Sequence, residues 1–157
     1  MPRYHRKSEC CSEEYPQCFK PKYYQANLTP KQQVMYVLSR ACGKFQAKTK
    51  GCILYFKLSV FCIDKVFQAH IHLGCPGQDG PVVAVLFPDG APTCQVNGVL
   101  AEGCINECDL VGPLKGKSIL KLFKLMDQGK AYINVHTVTY PEGEIRGQVK
   151  EKYCHRH

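Results

Sequence analysis

From about Tyr24 onward the chain alternates apolar and polar residues in short runs, each cut by Gly, Pro, Asn or Asp. Alternation with period two puts one set of side chains on one face of a strand and the other set on the opposite face. Such runs cover 23–28, 43–48, 51–63, 66–73, 81–87, 95–101, 104–110, 131–139 and 144–150. Breaks fall at Lys50-Gly51, Gly74 to Gly80, Pro88-Asp89-Gly90, Gly112-Pro113 and Pro141-Glu142-Gly143. Many short strands between turn signals predict an all-β fold, an antiparallel sandwich or barrel. One segment departs from the pattern. In 117–127, Ile119, Leu122, Phe123 and Met126 share a helical face and Gly129 follows as a stop, which predicts a short helix packed as a lid.

Strand parity separates core from periphery. In 52–62 the even positions, Cys52, Leu54, Phe56, Leu58, Val60 and Cys62, form a continuous core face. In 66–73 the apolar set is Phe67, Ala69, Ile71 and Leu73, which turns Gln68, His70 and His72 to the other side. Ala131, Ile133 and Val135 leave Asn134 and His136 facing away from the core; Ile145, Gly147 and Val149 do the same for Glu144, Arg146 and Gln148. The short Pro-Glu-Gly turn pairs the last two strands as a hairpin. Two chemistries suit these residues. His70 and His72, at i and i+2, with His136 as a third ligand, suit copper or zinc. Alternatively, the polar set forms a hydrogen-bond network, with Arg146 paired to Glu144 and the histidines anchoring the Gly74–Gly80 loop.

The chain carries 11 cysteines and a formal charge of +8. No Cys-x-x-Cys pair occurs, so zinc-finger chemistry is not indicated. Cys10, Cys11, Cys18 and Cys154 sit near the chain ends and are the candidates for disulfides if the compartment is oxidising. The first 25 residues are polar and lack the apolar centre of a secretory leader. The Asn27-Leu28-Thr29 sequon is therefore expected to be unused. Residues 1–50 carry ten Lys/Arg against three acids, which reads as a basic N-terminal arm able to track an anionic surface or, through residues 1–22, nucleic acid. No apolar stretch approaches the roughly 18 residues of a membrane-spanning helix.

Several of these motifs resemble the chordin (CHRD) domain. Ala69-His70-Ile71-His72-Leu73-Gly74 is followed by Gly80-Pro81-Val82-Val83, then by Gly112-Pro113-Leu114 before the helix. Ala131-Tyr132-Ile133-Asn134-Val135-His136-Thr137 and Pro141-Glu142-Gly143-Glu144-Ile145-Arg146-Gly147-Gln148 complete the set, in order, over about 24–150. The resemblance implies a β-sandwich related in outline to copper/zinc superoxide dismutase, whose metal histidines lie on the outer face of its barrel under loops. Three candidate histidines are too few for that enzyme's bridged two-metal site, and no hydrolase triad or phosphate loop occurs. The expected organisation is a cysteine-rich arm over 1–23, a CHRD-like sandwich over 24–150 and a tail over 151–157. The expected role is a non-enzymatic structural or protein-interaction module in an extracellular assembly or virus particle. Metal binding and, by family analogy, growth-factor binding stand as alternatives.

Overall fold

A computed structural model of the protein describes residues 20–153 together with the backbone of Tyr4–Arg6. Its elements in chain order are β1 (Tyr4–Arg6), β2 (Tyr23–Leu28), β3 (Cys42–Lys50), β4 (Ile53–Ile63), β5 (Val66–Leu73), β6 (Val82–Phe87) and β7 (Val96–Ile105). They continue through α1 (Ile119–Asp127), β8 (Ala131–Thr137), β9 (Ile145–Gln148) and β10 (Lys150–Glu151). Two sheets form, ordered β1-β7-β4-β3-β2-β10 and β6-β5-β8-β9. All pairings are antiparallel except β1 with β7. The sheets come together along one side, where Thr29 and Arg146 exchange backbone hydrogen bonds of 3.0 and 3.1 Å. The chain then switches sheets: Val149 N donates to Ala131 O, and β10 pairs with β2.

Alternation builds the core. Tyr24, Ala26 and Leu28 of β2, Phe45 and Ala47 of β3, and Leu54, Phe56, Leu58 and Val60 of β4 are buried. They face Ala69 and Ile71 of β5, Ile133 and Val135 of β8 and Ile145 of β9 across the sandwich. The helix closes one end on the four residues its periodicity predicts, Ile119, Leu122, Phe123 and Met126. Ser118 caps it, its Oγ accepting from Leu120 N at 3.3 Å. Asp127 ties it to β2, accepting from Tyr24 Oη at 2.7 Å and from Lys22 Nζ at 2.6 Å.

Three expectations change. The runs 95–101 and 104–110 are not separate strands: β7 continues to Ile105, and Asn106 then caps a tight turn over Glu107–Asp109. Cys62 does not join the core. A β-bulge between Val60 and Ile63 inserts one residue, so Ile63 takes the buried place and Cys62, at φ +54°, is exposed. Cys52 is half-buried against the core. The basic excess also moves. Residues 1–19 balance Arg3, Arg6 and Lys7 against Glu9, Glu13 and Glu14, whereas residues 20–50 contain no acid at all. The charge therefore belongs to Lys20 and Lys22 just before β2, to Lys31 and Arg40 between β2 and β3, and to Lys44, Lys48 and Lys50 of β3. No disulfide joins two of the described cysteines; the four disulfide candidates, Cys10, Cys11, Cys18 and Cys154, lie outside the described residues.

Among the described residues, no helix is long and apolar enough to cross a membrane.

Candidate metal centre

The outer face of the four-stranded sheet is not open to solvent. All seven residues of β8 and all four of β9 are buried, on both sides of the sheet. Inward residues face the core, and outward ones lie under three loops: the 29–41 segment, Gly74–Gly80 and 140–144. Parity places Gln68, His70, His72, Asn134, His136, Glu144, Arg146 and Gln148 on that outer face, but they are covered rather than exposed.

Register brings the histidines together. β5 pairs with β8 so that Gln68 stands opposite His136, His70 opposite Asn134 and His72 opposite Tyr132. One ring nitrogen from each of His70, His72 and His136 lies within 4.8 Å of one from each of the others. His70 Nδ1 is 3.3 Å from His136 Nε2. Two tautomers follow from backbone partners. His72 Nδ1 is 2.9 Å from Gly80 O and His136 Nδ1 is 2.9 Å from Pro141 O; a carbonyl only accepts, so both Nδ1 atoms carry the proton. Each Nε2 then presents a lone pair. His136 Nε2 accepts from His70, while His72 Nε2 is buried without a hydrogen-bond partner. Burial holds all three rings neutral. It pushes His70 down to about 4, helped by the two neighbouring imidazoles. It lowers His72 against the opposing Gly80 hydrogen bond, and His136 against Pro141 and Glu142.

The remaining polar residues hold the loops. Arg146, 1% exposed, donates from NH2 to Cys75 O at 3.0 Å and Gln78 O at 2.8 Å, and from NH1 to Asp79 Oδ1 at 3.2 Å. Its guanidinium carbon lies 3.5 Å from the centroid of the Tyr132 ring, which also stacks on the His72 ring with centroids 4.9 Å apart. Arg146 does not pair with Glu144, as the sequence suggested; Glu144 accepts from Ser39 Oγ and Thr137 Oγ1, both at 2.6 Å. Asn134 accepts from Gln33 Nε2 at 2.8 Å and donates to Glu142 O at 3.2 Å. Gln148 Nε2 reaches Gly74 O and Gly129 O, both at 2.7 Å. Two glycines make the covering possible. Gly143, at φ +125°, lies so close to Asn134 that a Cβ would overlap its amide, and a Cβ on Gly80 would overlap the Leu73 carbonyl.

A cleft of about 210 Å³ leads from solvent to His72 and His136, walled by Gln33, Met35, Asp79 and Glu142. Of the residues sequence reasoning missed, Tyr132 shares the parity of Asn134 and His136 and was legible from it. Gln33, Ser39 and Asp79 lie on loops whose fold no local pattern specifies. Asn27 of the sequon is exposed on the other sheet.

Comparison with curated proteins and with solved structures finds no match. The family model described as the CHRD domain matches residues 24–149, which run from the second residue of β2 to the residue after β9. Both histidine-bearing strands, and the turn that anchors His136, fall inside that span, and the chain belongs to the CHRD domain family.

Proposed function

We propose that this CHRD domain is a binding module that holds one transition-metal ion, copper or zinc, on His70, His72 and His136. The observation that carries the reading is the buried, unpartnered Nε2 of His72 beside two further neutral imidazoles. A buried polar atom without a partner costs about 1–3 kcal/mol, and a metal ion removes that cost. Protein imidazoles that bind metals commonly donate their other N–H to a carbonyl or carboxylate, which is what His72 and His136 do. His70 must shift its Nδ1 proton to Nε2 for Nδ1 to join them. When bound, an ion on three imidazoles supplies Lewis acidity at a position open to the cleft. Arg146, Glu144, Asn134 and Gln148 hold loops in place around the site, which suits a rigid binding centre more than a catalytic one.

Metal analysis of natively purified protein tests this. We expect about one copper or zinc per chain in the wild type and loss of it in His72→Ala and His136→Ala. Absence of stoichiometric metal after incubation with either ion, or retention in both variants, would defeat the reading.

A second reading, docking of another protein, is favoured by one observation. Val34, Met35, Tyr36 and Leu38 are exposed on a loop pinned by Gln33, Ser39 and the Tyr140 hydroxyl, which donates to Leu38 O at 2.8 Å. Replacing Tyr36 and Leu38, which lie outside the cleft lining, with Ser should abolish such docking while leaving metal content unchanged.

A further inference from the structure

The outer face of the six-stranded sheet is the other surface the topology creates, and it carries different chemistry. Register aligns its residues in rows across β2, β3 and β4. Tyr23 lies beside Lys48, and Lys48 beside Tyr55. The next row is Gln25, Gln46 and Lys57, and the next Asn27, Lys44 and Ser59. Lys44, Lys48 and Lys57 are exposed, as are Tyr23 at 38% and Tyr55 at 44%. The acid within this register is Glu102 of β7, opposite Lys57. Lys48 Nζ lies 5.5 Å from the Tyr23 ring centroid.

We infer that this face binds single-stranded nucleic acid. Three exposed lysines on neighbouring strands of an open sheet face complement a line of phosphates. Two tyrosines two strands apart, about 10 Å at ordinary strand spacing, offer ring faces on which bases stack. Gln25, Gln46 and Asn27 add neutral donors and acceptors for base edges. A sulfated polysaccharide would use the lysines alone. The tyrosine rows favour the polynucleotide, and the same stacking logic disfavours duplex, whose bases are already stacked. The site is independent of the histidine centre, which lies on the opposite sheet.

The test uses the full chain and fluorescence polarisation of a labelled twelve-residue oligothymidylate. Its competitors are a duplex of the same length and a heparin dodecasaccharide. Wild type should bind the single strand at least tenfold more tightly than the duplex, with affinity falling as salt rises. The Lys44→Gln/Lys48→Gln/Lys57→Gln variant should lose at least tenfold and flatten the log–log salt slope by about 2, at roughly 0.7 per phosphate contact. Tyr23→Leu/Tyr55→Leu should lose about fivefold or more per ring while keeping the slope. Thermal melts within a few degrees of wild type verify that both variants fold. No binding at low salt, binding indifferent to both variants, or a lysine effect with no tyrosine effect would each overturn the inference. Preferential binding of the heparin fragment, unaffected by the tyrosine changes, would overturn it in favour of a polysaccharide.

Discussion

The two sheets of this sandwich treat their outer faces in opposite ways. The four-stranded sheet buries its outer residues under three loops and fills the space with histidines, an arginine and amides. The six-stranded sheet leaves its outer residues in water and carries lysines and tyrosines there. Both follow the same period-two alternation, so the difference is not in the strands. It arises from the connections: the 29–41 segment, Gly74–Gly80 and 140–144 all fold back over one sheet. A polar residue on the covered side must find a partner or meet a ligand; one on the open side has water. This contrast predicts where substitutions matter.

The largest effect should come from Arg146. Arg146→Ala strands the Cys75 and Gln78 carbonyls, frees the loop bearing Gly80 and removes the cation over Tyr132, which should cost about 3 kcal/mol or more. Urea unfolding measures this, and a cost below about 1 kcal/mol would break the contrast from its strong side. Gly143→Ala should follow, at about 2 kcal/mol, because a Cβ there collides with Asn134 in a left-handed conformation. Denaturation midpoints compared with Gly77→Ala calibrate it: Gly77 shares the positive φ, but a Cβ there meets open space.

Acid should come next. The three histidines hold folded-state values below the ordinary 6.5, with His70 at about 4. Between those values the unfolded chain binds more protons than the folded one. Stability therefore rises with pH through the window and is lost as pH falls from about 6.5 toward 4. Thermal melts of the metal-free protein across this range should show the decline, and a flat profile would contradict the burial of the rings. The smallest effect belongs to the open face, where Lys48→Gln should change stability by no more than about 0.5 kcal/mol.

Much of this arrangement was legible in the sequence, and for identifiable reasons. The bounds of β2 and β5, the buried stripe of α1 and the outward parity of His70, His72 and His136 follow from local periodicity, which the fold respects. Cys62 was misplaced because a bulge shifts parity without changing the composition of the run. The strand after 104 was misread because Asn106, Cys108 and Asp109 close a turn through side-chain hydrogen bonds that alternation does not register. The covering of the histidines was invisible for a different reason. It depends on contacts such as Ser39 with Glu144 and Gln33 with Asn134, both separated by more than 100 residues. The same distance hid the true partners of Arg146, which lie some 70 residues away in the loop it holds.

In this reading, His72 and His136 offer deprotonated Nε2 atoms to an ion. Long-range ¹H–¹⁵N NMR of the imidazoles, before and after one equivalent of Zn²⁺, tests it most directly. Both rings should show the Nδ1–H tautomer in the metal-free protein, and their Nε2 resonances should shift together on addition of zinc. An Nε2–H tautomer for His72, or Nε2 resonances unmoved by zinc, would contradict the account.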